Sequence, residues 1–419
     1  MNNIEKSYEL AKEQYSAIGI DAEKAIKTLN EVSISIHCWQ ADDVTGFEKE
    51  HFSSGGGIMA TGNYPGKARN IDELRKDIEK VLEMVPGKHK LNLHAMYGDY
   101  SNGFPGRDKI ETKHFESWIE WAKNLDIGLD FNSTFFSHPY ADDGYTLSHT
   151  DRNIREYWIE HAKRCRSISN YIGEKLKKKC IHNLWIPDGS KDITFERFRH
   201  RELLKESLDE IFKEKFSSNN MADSVESKLF GIGSEAYVVG SHEFYLSYAL
   251  KNNLILCIDN GHFHPTESCA DKVSALFVFF DELLFHLTRG IRWDSDHIVI
   301  LNDEVKDILN EIVLAGKLNK SHLALDFFDA SINRIGAYVI GIRALQKAIL
   351  SALLLPVERL REYERDKKYF QRLALFEETK TKPFGSVWNY YCYIHDVPVG
   401  EDYIKEIEKY ENEVLSKRD

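Results

Sequence analysis

From residue 32 onward the chain keeps one rhythm: short runs of β-branched, aromatic and leucine residues, each followed by a longer stretch with apolar residues at helical spacing. The runs lie at 32–39, 91–97, 127–136, 181–186, 225–232, 254–259, 283–288 and 323–328. Strands covered on both faces in a parallel sheet read as near-continuous apolar segments, and LILCID (254–259) and LALDFF (323–328) do so. About eight strand-helix units of this kind predict an α/β fold, a (β/α)8 TIM barrel. The fifth run fits least well, because Ser224, Glu226, Ser227 and Lys228 are polar for a barrel strand. Either no strand lies there, or those side chains have a chemical task.

The flanks follow another pattern. Ile4, Tyr8, Ala11, Tyr15 and Ile18 are spaced for a helix over 4–18, with Gly19 behind it as a C-cap. Beyond residue 357 the charge density rises, and 357–378 and 403–418 each read as one amphipathic helix. The expected organisation is a helical appendage at 1–30, the barrel at 31–350, and a helical extension at 351–419 suited to subunit contacts. The Gly- and Ser-rich segment 53–62 follows the first strand, at the catalytic rim of a barrel. It serves there as a lid or as a simple connection, and it lacks the Gly-Lys-Ser/Thr of a phosphate-binding loop.

Composition narrows the class. Apolar residues make up 42% and charged residues 29%, an ordinary globular mix, and the formal net charge is −12. Apart from a short lysine cluster at 175–179 there is no basic block, which argues against nucleic acid as a partner. Six cysteines without a Cys-x-x-Cys pair read as reduced thiols. The longest apolar run, 275–280, is far shorter than the roughly 18 residues of a membrane span, and the N-terminal segment has no apolar leader core. A cytoplasmic protein without membrane partners is expected.

Barrel chemistry sits at the C-terminal ends of the strands. The sixth run ends in Asp259-Asn260-Gly261-His262, the seventh holds His286 and leads into Asp294-Ser295-Asp296, the eighth holds Asp326, and the fifth offers Glu226 and Lys228. A carboxylate inside an apolar run must be solvated or paired, and a divalent cation is a sufficient partner. Taken singly, a histidine of this kind is often a satisfied core residue, and an aspartate after a strand is often a helix cap. On four consecutive strand ends, Glu226, Asp259, His262, His286, Asp294, Asp296 and Asp326 together define a metal site, with more ligands than one ion needs. Mostly oxygen donors with two imidazoles suit Mn²⁺, Mg²⁺ or Co²⁺ better than a sulfur-ligated zinc.

At these residues the sequence resembles the L-rhamnose isomerase family. The likeness runs through VESKLFGIGSEAY (225–237), IDNGHFHPTE (258–267), RWDSDHIV (292–299), LDFFDASINRIGAYVIG (325–341), NLHAMYGDY (92–100) and NLWIPDGSKD (183–192). The resemblance implies a homotetramer with two divalent ions per subunit, Mn²⁺ by preference and Zn²⁺, Co²⁺ or Mg²⁺ as substitutes, acting on a small-molecule sugar in L-rhamnose catabolism. By the same likeness, Glu226, Asp259, His286 and Asp326 hold the structural ion, and His262, Asp294 and Asp296 the catalytic ion, with Asp259 near both. His94 and Trp185 line the sugar pocket. The layout is similar to that of xylose isomerases, but those place an aspartate where this chain has His286 and a glutamate where it has Asp259, which favours the rhamnose branch.

Moving a carbonyl from C1 to C2 needs a proton shuttled between O1 and O2, hydrogen moved between the carbons, and charge on oxygen stabilised. Metal-assisted proton transfer with a hydride shift meets those needs, with Lys228 bonding O1, and with His262 and Asp294 among the catalytic residues. An enediol path remains open at this point. So do an isomerase of L-mannose, L-lyxose or D-allose, a metallohydrolase on the same barrel, and a sugar-binding barrel with a structural metal.

Overall fold

A computed structural model describes residues 2–48, 60–229, 236–291 and 296–418. Eight parallel strands close into a barrel: β1 Ser33–His37, β2 Lys88–His94, β3 Gly128–Asn132, β4 Cys180–Trp185, β5 Met221–Glu226, β6 Ile255–Asp259, β7 Leu283–Leu287 and β8 Ser321–Leu325. Each pairs with its sequence neighbours, and β8 closes on β1 through Ile34 opposite Leu323. All eight expected runs therefore contain a strand. The fifth differs in position, starting at Met221 rather than 225 and ending at Glu226, so Ser227 and Lys228 follow the strand. Asp223 hid its beginning, because a carboxylate there is tolerated only through the Arg166 guanidinium (2.9 Å) and the His182 ring (3.0 Å). Residues 230–232 of the expected run lie outside the described residues.

The two-residue period of a strand sorts side chains between barrel interior and helix layer. On the inward face, Ile181, Ile255, Cys257, Leu284 and Ala324 form a small apolar plug. Two positions further along the same inward columns stand Asn183, Asp259, His286 and Asp326, so ionisable groups rest directly on the plug. The outward face packs against the helices in one continuous core. Those helices start on side-chain caps: Asp21 accepts from the Lys24 amide, Asn302 from Val305 and Asn333 from Gly336. The helix Arg334–Leu353 is long and apolar enough to cross a membrane by composition, but most of it is buried inside the fold. All six cysteines are free and buried.

The N-terminal helix Asn3–Ser16 packs on the helix Phe384–Ile394, with Tyr8 stacked on Tyr390 at 3.8 Å. The single helix expected over 357–378 is two, Val357–Arg365 and Tyr369–Thr379. Lys367 turns into the left-handed region at φ 58°, and the Lys368 amide closes back onto the Tyr363 carbonyl at 2.7 Å, a Schellman stop. Apolar spacing continues across that turn, so periodicity alone cannot see it. A short antiparallel pair, Gly189–Ser190 with Tyr237–Val238, was not expected.

The stretch after residue 60 is fastened from two sides. The Tyr64 amide donates to the Ala330 carbonyl (2.8 Å), and Ala330 returns a bond to Thr61 (3.1 Å). Gly62 at φ +124° allows this approach, since a Cβ there would lie 2.3 Å from the Ala330 backbone. From the C-terminal segment, Arg418 bonds the Gly66 carbonyl (3.1 Å) while pairing with buried Asp77 (2.7 Å), and Tyr64 donates to Glu411 (2.8 Å). Of the expected loop 53–62, residues 53–59, including Ile58 and Met59, lie outside the described residues.

Candidate active site

A pocket opens at the C-terminal ends of the strands. Its floor is the ionisable layer. Ligand atoms of Glu226, Asp259, His286 and Asp326 all lie within 4.8 Å of one another. Strand register brings them together: Asp259 sits opposite His286 across β6 and β7, and Trp185 opposite Glu226 across β4 and β5. His286 Nδ1 lies 3.0 Å from Asp326 and 3.3 Å from Glu226. His262 donates from Nδ1 to the Ser227 carbonyl at 2.9 Å, which turns Nε2 toward Asp259 at 3.8 Å. Asp296 lines the same pocket. Asp294, expected as its partner, lies outside the described residues.

The electrostatics match a cation site. Burial pushes the Asp259 carboxyl up to about 7, with the Glu226 and Asp326 carboxylates adding to the rise and the His262 and His286 imidazoles offsetting only part of it. Burial acts the same way on Glu226, but the His286 and His262 imidazoles outweigh it and hold this carboxyl well below the usual range. Burial opposes a charge on His286, yet the Cys257 thiol and the Glu226 and Asp326 carboxylates draw its proton on firmly. Glu226 Oε1, Asp259 Oδ2 and His286 Nε2 are buried atoms that make no hydrogen bond. Buried polar atoms are normally satisfied. Unsatisfied carboxylate and imidazole atoms on residues that gather ligand atoms within 4.8 Å of one another are the arrangement a divalent cation completes, so these residues fit the implied metal.

The walls carry Lys228, Trp185 and His94. Lys228 is buried and its ammonium lies 4.5 Å from the Trp185 ring centroid. The Trp185 ring also stands near His262 (6.4 Å) and Phe136 (5.9 Å). His94 bonds Thr134 Oγ1 through Nδ1 at 3.2 Å, and burial pushes its pKa down to about 3, so its ring is neutral. The expected residues Glu226, Lys228, His262, His286, Asp296, Asp326, His94 and Trp185 all line this pocket, and Asp259 joins them in the cluster beneath.

Several neighbours escaped the sequence reading. Asn183 donates to Glu226 at 2.5 Å, and Trp39 donates from Nε1 to Asp326 at 3.1 Å, each fixing a carboxylate. Asn183 was within reach of the strand period, two positions before Trp185 on the same face. Val44, which also lines the pocket, gives no such signal, since a turn with Asp43 and Val44 both at positive φ turns it toward the site.

A closed parallel barrel with a carboxylate-imidazole cage on its strand ends, beside a lysine and aromatic walls, defines a metal-dependent (β/α)8-barrel enzyme. The chain belongs to the L-rhamnose isomerase family: it matches the family described as L-rhamnose isomerase (RhaA) over residues 2–418. Among its relatives, the L-rhamnose isomerase of Bacteroides thetaiotaomicron is 55% identical over 99% of both chains. That of Rhodopirellula baltica is 51% identical over 99% of this chain and 97% of its own. Among solved structures, an L-ribulose 3-epimerase superposes with a TM-score of 0.46 at 12% identity, over 80% of this chain and 97% of that one, a distance at which no chemistry carries across.

Proposed function

We propose that this chain interconverts L-rhamnose and L-rhamnulose as a Mn²⁺-dependent aldose-ketose isomerase of L-rhamnose catabolism. The observation that carries the reading is the cluster of Glu226, Asp259, His286 and Asp326 on the floor of a pocket walled by Lys228, His94 and Trp185. In that reading those four residues hold one ion, and His262, Asp294 and Asp296 hold the second, with Asp259 near both. Bound divalent cations supply Lewis acidity at the sugar's O1 and O2.

The chain's own groups do the rest. Lys228, its stem buried and its ammonium held over Trp185, bonds O1 and stabilises the negative charge that develops there. Neutral His94, with Nδ1 engaged by Thr134, presents its other ring nitrogen to a sugar hydroxyl. Trp39, Phe136 and Trp185 keep water from the carbons, which suits a hydride shift between C2 and C1. On the same reading the enzyme works in the cytoplasm as a homotetramer. The exposed Phe370 and Leu373 in the extension 351–419 support subunit contacts there.

The test is ketose formation by metal-stripped protein with and without Mn²⁺, on L-rhamnose beside L-mannose, L-lyxose, D-allose and D-xylose. Turnover restored by Mn²⁺ and fastest on L-rhamnose is expected. Another aldose in first place changes the substrate, full activity after chelation refutes the metal reading, and no ketose from any sugar refutes the isomerase. Run in D₂O, a hydride shift leaves C1 without solvent deuterium, whereas deuterium at C1 indicates an enediol.

A further inference from the structure

Behind the pocket wall, away from the metal cluster, lies a buried arginine that the chemistry above does not use. Arg107 is 1% exposed. Its Nε reaches both oxygens of buried Glu48 (3.0 and 3.2 Å), and Nη2 reaches Glu48 Oε2 (2.8 Å) and the Ser137 carbonyl (3.2 Å). Nη1 takes the carbonyls of Thr134 (3.1 Å) and Phe136 (2.5 Å). A guanidinium has five N–H donors in a fixed fork, and here all of them are engaged. The three carbonyls belong to the four-residue curl after β3, whose last member, Ser137, is held at φ 51°. For a residue other than glycine that is an uncommon conformation, sustained only by its surroundings.

The same curl supplies the sugar-facing wall. The Phe136 side chain lines the pocket, and its ring lies 5.6 Å from His94 and 5.9 Å from Trp185. Thr134 bonds His94 through its hydroxyl, while its amide donates to His161 Nε2 at 3.0 Å. His161 Nδ1 in turn donates to the Arg107 carbonyl at 3.1 Å, closing a ring of contacts. Through Glu48 the guanidinium also ties in the segment that leaves β1.

We propose that Arg107 is a positioning residue for sugar binding: its fork sets the path of residues 134–137 and thereby the placement of the Phe136 ring and the His94 imidazole. This rests on the sugar-isomerase reading above. Lysine cannot replace it, because a single ammonium offers three donors from one point and cannot span Glu48 and three carbonyls.

Three variants test this against the wild type: Arg107→Lys keeps the charge beside Glu48, Glu48→Gln keeps the carbonyl bonds, and Thr134→Val removes only the hydroxyl bond to His94. The expected result is a KM for L-rhamnose raised about tenfold in Arg107→Lys and several-fold in Thr134→Val, with kcat changed less and Mn²⁺ affinity unchanged. Glu48→Gln shifts KM less than Arg107→Lys. Hydrogen exchange of amides 134–138 is expected at least tenfold faster in Arg107→Lys while strand amides hold. KM and exchange rates equal to wild type in Arg107→Lys overturn the proposal. If that variant does not fold, an unchanged KM in Thr134→Val overturns it. Wild type that turns over no aldose refutes the isomerase reading instead, and exchange at 134–138 then decides alone whether Arg107 holds the curl.

Discussion

Replacing Lys228 by methionine separates the work of the lysine from that of the metal. The side chain is buried and its ammonium stands 4.5 Å from the Trp185 centroid, so on the proposed reading it would meet a developing charge on O1 from a fixed, largely dry position. Two opposite unit charges about 4 Å apart interact by about 4 kcal/mol at an effective dielectric constant of roughly 20. Loss of a single preorganised oxyanion donor costs about 2.7 to 4 kcal/mol in other enzymes, which brackets the same value. The expected fall in kcat is therefore about 100- to 1,000-fold, with KM changed little. Methionine removes the charge while keeping an unbranched aliphatic stem against the Trp185 ring. Removing a cation beside a cation site also lowers repulsion, so Mn²⁺ should bind as tightly as before or tighter. Steady-state kinetics on L-rhamnose, with Mn²⁺ titrated by calorimetry, measure both. A kcat within threefold of wild type, or a loss of activity that tracks weaker Mn²⁺ binding, refutes the assignment of O1 charge to Lys228.

Further outcomes follow from other contacts. Asp259→Asn removes a carboxylate that burial already pushes up to about 7, so the metal-free protein should melt no lower than wild type while the thermal gain on adding Mn²⁺ shrinks; an undiminished gain counts against Asp259 as a ligand. Burial pushes His37, His94 and His161 down to about 3 and His89 to about 4, so the unfolded chain takes up protons near pH 6.5 that the folded chain refuses. Stability is then intact above about pH 6.5 and lost as pH falls toward 3, by about 1.4 kcal/mol per pH unit for each histidine, and a flat urea-unfolding profile between pH 6 and 5 contradicts this. Arg418→Ala strands buried Asp77, at a cost of about 3 to 5 kcal/mol in chemical denaturation, and adding Asp77→Asn should recover part of it; no recovery means the ion pair is not the cause.

The barrel was legible because its strands are covered on both faces, so apolar runs mark them however the helices vary. The cluster of ionisable groups on the barrel floor was legible for a related reason. Asp259, His286 and Asp326 interrupt such runs, and a charge placed there without a partner would be too costly to keep. Asn183, Trp39 and Phe136 gave no such alarm, because an amide or an aromatic ring near a strand end is ordinary in a core. Arg107 and Glu48 lay further from reach. Each belongs to a loop, and only the closed barrel brings the segments after β1, β2 and β3 to one point. The break at Lys367 was missed because a Schellman stop reverses the chain without disturbing the apolar period. Met221 to Ser224 were missed as strand because Asp223 is made tolerable by Arg166, a residue on the helix between Asp130 and His182 whose pairing the local sequence does not announce.

The contact between Arg418 and Gly66 joins residues 352 positions apart. During synthesis at about 5 to 20 residues per second, the stretch around Gly66 emerges roughly 20 to 70 s before the arginine that fastens it. Through that interval the Asp77 carboxylate, buried in the finished protein, waits without its cation, and the rim beside the first strand lacks one of its two supports. A nascent chain stalled before residue 411 should therefore carry a closed barrel whose mouth is still susceptible to proteases near residue 66, and release of the last few residues should protect it.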